Sequence, residues 1–217
     1  MKMRHHNIVK LYFFFCSHEQ FKFLVYDYIE RGSLATILCH DELANEFNWQ
    51  RRVSLINDVA RGIYITCIMI DPPIIHHDIT SGNILVDAEY KAFVPDFGTA
   101  RVTKPDSSNW TELAGTYGYL APKHSYNPAA TEKCDLYSFG VVIMEVVMGK
   151  HPGDLIGHLS SFEELDALLE DIIGKRPATL TKNAELDIIQ LITDCQMLCA
   201  SFTETQAQNA AGVSSSY

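Results

Sequence analysis

Asp78 and Asn83 stand five residues apart in IIHHDITSGNILVD (74–87), and Asp96 opens an Asp-Phe-Gly tripeptide 18 residues after Asp78. A carboxylate can take up a proton, and carboxylate and carboxamide oxygens suit a hard divalent cation. Two plainer readings stand beside that chemistry. Asp and Asn are common turn residues, because their side chains bond local backbone. His76, His77 and Asp78 are metal-ligand types, but neighbours on extended backbone point to opposite sides, which disfavours one shared ion.

The elements that must position these residues follow from pattern. HNIVKLYFFFC and FKFLVYDYI are rich in β-branched and aromatic residues and are joined by SHEQ, which predicts a hairpin. Phe13, Phe14, Phe15, Phe21 and Phe23 are then hairpin residues rather than a stacking platform. Gly32-Ser33 breaks the pattern before a short helix, LATILCH. A longer helix is expected from Asn48, a good N-cap residue. Trp49, Val53, Ile56, Ala60, Ile63 and Cys67 mark its buried face. Its last turns, IYITCIMI, are apolar all round and are expected to be wholly buried. Asp71-Pro72-Pro73 should end it. NILVD and YKAFV are short strands. TEKCDLYSFGVVIMEVVMG is a second buried helix closing at Gly149 with Pro152 beyond. ELDIIQLITDC is a weaker third helix. From Ser201 the tail has little to bury.

Composition narrows the class. The chain has 217 residues, 47% hydrophobic and 20% charged, as in a globular protein. Lys plus Arg number 17 against 27 Asp plus Glu, a net charge of −10, which disfavours binding to nucleic acid or an anionic membrane surface. The six cysteines form no CxxC pair, so reduced thiols in an intracellular setting are expected. MKMRHHNIVK does not read as a signal peptide, and no apolar run reaches the ~18 residues of a membrane span. Asn109-Trp110-Thr111 is a formal glycosylation sequon, read here as coincidence.

The ordered set carries far more than any one motif. His76-x-Asp78-x4-Asn83, Asp96-Phe97-Gly98, Gly115-Thr116-x-Gly118-Tyr119-x-Ala121-Pro122 and Asp135-x-Tyr137-Ser138-x-Gly140 occur in that order. The set resembles the C-terminal lobe of a protein kinase. HNIVKLY, LVYDYIERGSL, NILVD, DFGTA, ELAGTYGYLAP and TEKCDLYSFGVV are similar in wording to plant leucine-rich-repeat receptor-like kinases. The resemblance covers about residues 4–194.

It implies an α+β, protein kinase-like fold: residues 1–30 a remnant N-lobe hairpin and hinge, 31–200 a mainly helical C-lobe, 201–217 a tail. It implies transfer of the ATP γ-phosphoryl group to Ser/Thr hydroxyls in receptor signalling, with ATP and Mg²⁺ as cofactors. Asp78 would be the base, and Asn83 and Asp96 would hold Mg²⁺. Tyr26 would be the gatekeeper, the backbones of Asp27 and Ile29 would face adenine, and Leu85 would lie beneath it. Asp135 would accept hydrogen bonds from catalytic-loop backbone, Thr116 would bond near Asp78, and His76 would pack under Phe97. Thr111 reads equally as a phosphosite or as ordinary loop. Partners would be a protein substrate or a co-receptor kinase, with no nucleic acid. A full-length receptor would place this domain on the cytoplasmic side of the plasma membrane; the chain alone would be cytoplasmic.

The chain departs from the family in several places. Its first glycine is Gly32, and only 25 residues precede Tyr26, so neither the glycine-rich loop nor the strand lysine has a counterpart here. His77 stands where many kinases carry Arg, and Pro95 removes an N–H just before Asp96. Lys123 replaces the Glu of Ala-Pro-Glu, and Arg176, the final arginine, comes too early to be that residue's usual partner. The expected consequence is impaired catalysis, or a noncatalytic scaffold that binds partners. The open hairpin is expected to self-associate.

Overall fold

The computed structural model describes residues 5–17, 21–70, 74–95, 101–102, 115–120, 132–153 and 190. The strand-rich opening folds as expected into an antiparallel hairpin, β1 (Leu11–Ser17) and β2 (Phe21–Tyr26), with an irregularity between Leu11 and Phe13. The stretch before it does something else. Asn7 and Val9 bond to Val94 through backbone, and the buried Asn7 side chain donates to the Ala92 carbonyl at 3.0 Å. His5–Val9 is therefore a brace against the helical body rather than part of the hairpin.

Gly32, at φ +75°, turns the chain into α1 (Leu34–Cys39). Ser33 caps that helix by accepting the Thr36 N–H at 3.2 Å. A short α2 (Asp41–Glu46) leads to α3 (Trp49–Tyr64), where Asn48 accepts the Arg51 N–H at 3.0 Å as the cap residue type predicts. Trp49, Ile56, Ile63 and Cys67 are buried on the expected face. Arg52 joins them. Its guanidinium lies over the Phe47 and Trp49 rings and donates to the carbonyls of Phe47 and Val146.

The final turns differ from expectation. Ile65–Met69 is a π-helical turn, and although Thr66 and Cys67 are buried, Tyr64 is 50% and Met69 62% exposed. An apolar run shows only what a helix could bury; here its partner among the described residues covers one side. Ile70 is already extended, so the helix ends before Asp71-Pro72-Pro73, which lie outside the described residues.

Three short antiparallel contacts follow from the remaining strands. β3 (Ile74–Ile75) pairs with β6 (Arg101–Val102), and β4 (Leu85–Val86) pairs with β5 (Ala92–Phe93). Residues 31–33 also bond across to 85–86. The core is completed by α4 (Glu132–Met148), whose Val141, Val142, Ile143, Met144, Val146 and Val147 are buried. It closes at Gly149, φ +72°, with Pro152 beyond, as the sequence predicts. Among the described residues, Cys39, Cys67 and Cys134 form no disulfide. Of the weaker third helix only Gln190 is described, and it is helical; the tail lies outside the described residues, as do Phe97, Gly98, Asn109, Trp110, Thr111, Ala121, Pro122, Lys123 and Arg176.

Candidate active site

The loop between β3 and β4 has little regular structure of its own, and α4 holds it in place. Asp135 is buried, and its carboxylate accepts the backbone N–H of His76 at 2.6 Å and of His77 at 2.8 Å. The Cys67 thiol lies 3.7 Å from the same carboxylate. A buried carboxylate needs such donors, and charge-assisted bonds to backbone N–H are among the stronger ones.

His77 sits at φ +68°, in the left-handed region that a non-glycine residue seldom adopts. The chain turns here, so the extended backbone assumed for His76–Asp78 is corrected. No cluster of His, Cys, Asp and Glu suited to a metal ion occurs among the described residues. The buried His76 ring bridges two segments: Nε2 lies 2.8 Å from the Pro95 carbonyl, and Nδ1 accepts the Asp78 N–H at 3.3 Å. A carbonyl can only accept, so the proton of the neutral ring is on Nε2. Pro95 thus contributes an acceptor. Its missing N–H costs no ladder bond among the described residues, because Val94 makes the last strand contacts to Asn7 and Val9. The expected effect of Pro95 on Asp96 falls on a residue outside the described residues.

Asp78 is gripped at both oxygens. The Thr116 hydroxyl donates to Oδ1 at 2.6 Å, and Asn83 Nδ2 donates to Oδ2 at 2.6 Å and to the Asp78 carbonyl at 2.9 Å. The Thr116 contact is the one expected. Asn83 spends its amide nitrogen on Asp78, which leaves its Oδ1 as a hard oxygen for a cation. Asp96 lies outside the described residues.

A second, buried network fixes the segment carrying Thr116. Tyr119 donates its hydroxyl to Glu145 at 2.5 Å, and Ser81 donates to the same carboxylate at 2.8 Å. The Tyr119 N–H bonds the Thr116 carbonyl at 3.1 Å, and the Ser138 hydroxyl donates to the Tyr119 carbonyl at 2.8 Å. Burial, then the Glu145 bond, push the Tyr119 phenol up to about 12. Gly115 is needed where it stands: at φ +151°, a Cβ would meet Leu120 at 2.5 Å and the His77 carbonyl at 3.1 Å. Glu145 and Ser81 were missed at the sequence level. The signal was present, since Glu145 is, like Asp135, a carboxylate in an otherwise apolar helix.

Tyr26, Asp27 and Ile29 lie at and beyond the end of β2, and the segment that follows them, residues 31–33, bonds to residues 85–86, where Leu85 is half-buried. The Asp27 N–H donates to the Lys10 carbonyl at 3.1 Å. The Asp27 carbonyl and Ile29 N–H have no bond among the described residues, so an acceptor and a donor remain for a planar heterocycle. Asp78 and Asn83 therefore form one cluster, while Tyr26, Asp27 and Ile29 lie on the segment after β2 and Leu85 on β4.

Comparison with known proteins gives this geometry a context. The protein kinase domain family matches residues 1–204. A leucine-rich repeat receptor-like protein kinase of Arabidopsis thaliana is 51% identical over 74% of this chain and 14% of its own length. MDIS1-interacting receptor like kinase 2, also of Arabidopsis thaliana, is 51% identical over 74% of the chain and 15% of its own length. Receptor protein-tyrosine kinase CEPR1 of the same plant is 38% identical over 92% of the chain and 21% of its own length. The chain thus spans a small part of the curated relatives it matches. Among solved structures, the pseudokinase domain of BIR2, an immune regulator of the RLK/Pelle family, superposes with a TM-score of 0.74 at 27% identity. That match covers 99% of this chain and 67% of the other.

Proposed function

Because the chain belongs to the protein kinase family, as a plant leucine-rich repeat receptor-like kinase domain, we propose that its site is built for phosphoryl transfer to Ser/Thr hydroxyls. The observation that carries this reading is the hold on Asp78, oriented at both oxygens by Thr116 and Asn83 on a loop hung from Asp135. An ionised carboxylate has about four acceptor positions, so two remain to take the proton of a substrate hydroxyl. Thr116 keeps the carboxylate facing that hydroxyl. Asn83 would offer Oδ1 to Mg²⁺, and Asp96 would be the second ligand. Tyr26, Leu85 and the backbones of Asp27 and Ile29 would line the adenine side. ATP with Mg²⁺, when bound, supplies the transferred group and the compensation of its charge.

This chain by itself carries no glycine before Gly32, and activity of the isolated chain is proposed to be weak or absent. The likeness to a pseudokinase domain favours a second reading, in which the same fold serves as a noncatalytic scaffold for protein partners. Fusing a relative's N-lobe ahead of Met1 tests both. The kinase reading expects autophosphorylation on Ser/Thr, lowered by roughly 10²-fold or more in Asp78→Asn, the scale of a lost general base. A well-folded fusion with no transfer, even after His77→Arg, would overturn it in favour of the scaffold.

A further inference from the structure

A cavity of about 430 Å³ opens between α3, its π-helical turn and α4, away from Asp78. Its walls are mainly apolar, with Ile63, Leu136 and Phe139 among them, while His5 and Arg61 also line it. On a chain of net charge −10, two cationic side chains lie within the electrostatic reach of His5: Lys91 and Arg61. The local countercharge is Asp58, which pairs with Arg61 at 3.4 Å yet leaves that side chain 67% exposed. His5 Nδ1 accepts the Asn7 N–H at 3.2 Å, so the neutral ring carries its proton on Nε2 as a donor. Burial and the neighbouring positive groups hold the His5 pKa below its ordinary value, which keeps the ring neutral near pH 7.

We propose that this cavity binds a medium-chain carboxylate, with its alkyl chain against Ile63, Leu136 and Phe139 and its carboxylate at Arg61 and His5. Apolar walls select a hydrocarbon, and a guanidinium beside an N–H donor selects a carboxylate over a neutral or cationic head. Occupancy would be felt at the proposed active site. Cys67 lines the cavity and touches Asp135, which holds the His76 and His77 amides.

Titrating the full chain with decanoate, and with decanol as the neutral control, tests this by calorimetry and amide NMR. Decanoate is expected to bind roughly tenfold more tightly than decanol, the scale of one charge-assisted contact. Arg61→Glu, at an exposed position, should erase that difference. Amide shifts are expected at Ile63, Cys67 and His76. No binding at millimolar decanoate would overturn the proposal, as would equal affinity for decanol. Retained preference in Arg61→Glu, or shifts confined to the hairpin at Phe23 and Leu24, would overturn it as well.

Discussion

Asp135 on α4 accepts the backbone N–H of His76, 59 residues away in sequence, at 2.6 Å, and of His77 at 2.8 Å. Asp135→Asn would present an amide N–H to at least one of those donors. Since bonds to a charged acceptor contribute ~1.5–3 kcal/mol each, a destabilisation of about 2–4 kcal/mol is expected in urea unfolding. A change below about 0.5 kcal/mol, the ordinary scatter of surface substitutions, would show that the loop does not depend on this anchor.

Tyr119→Phe isolates the second network. It should cost about 1–3 kcal/mol, because Glu145 and Ser81 lose a buried partner. The effect should also depend on pH. An unfolded tyrosine gives up its proton near pH 10, whereas the folded one holds it to about 12. The folded state binds more protons between those values, so stability from Tyr119 is complete below pH 10 and declines as pH rises toward 12. The difference between wild type and Tyr119→Phe should shrink across that window; a constant difference would contradict the assignment.

Nucleotide should leave the isolated chain unmoved. The proposed adenine side at Tyr26–Ile29 would have no glycine-rich stretch of this chain to cover the phosphates. Millimolar MgATP is expected to leave the melting temperature unchanged. A ligand at 100 times its Kd would add ~2.7 kcal/mol and shift the midpoint by several degrees, which differential scanning fluorimetry would detect.

The hairpin should drive self-association. Leu11, Phe23 and Leu24 are 45%, 51% and 44% exposed, and among the described residues the hairpin pairs with no third strand, an arrangement prone to edge pairing. Light scattering at tens of micromolar is expected to show species larger than a monomer, with Phe23→Lys and Leu24→Lys reducing them. A monodisperse monomer of the wild-type chain would count against this reading.

Local chemistry was the legible part of the sequence. Asn48 and Ser33 declared the starts of α3 and α1, Gly149 the end of α4, and the Asp135 and Thr116 contacts were expected from the motif set. Partnering was less legible. Nothing in IYITCIMI says that Tyr64 and Met69 would remain outside, since the run describes a helix and not the neighbours it meets. Arg52 reads as a surface cation until Phe47, Trp49 and the end of α4 surround it. HNIV has strand composition, yet Asn7 draws it onto β5. Each of these outcomes is set by residues far away in sequence, which a window of neighbours does not contain.

One consequence of α4 concerns time rather than geometry. Its Asp135 and Glu145 hold the loop from His76 to Asn83 and the turn from Thr116 to Tyr119, and its apolar side chains are the middle of the core. Neither segment can keep its shape while α4 is open, so both should appear late in folding, after α3 and α4 have met. In deuterated solvent the amides of Val141–Val147 should be the last to exchange, through global unfolding, while those of the hairpin exchange early. The His76 and His77 amides, though in a loop, should exchange on the clock of the helix that holds them.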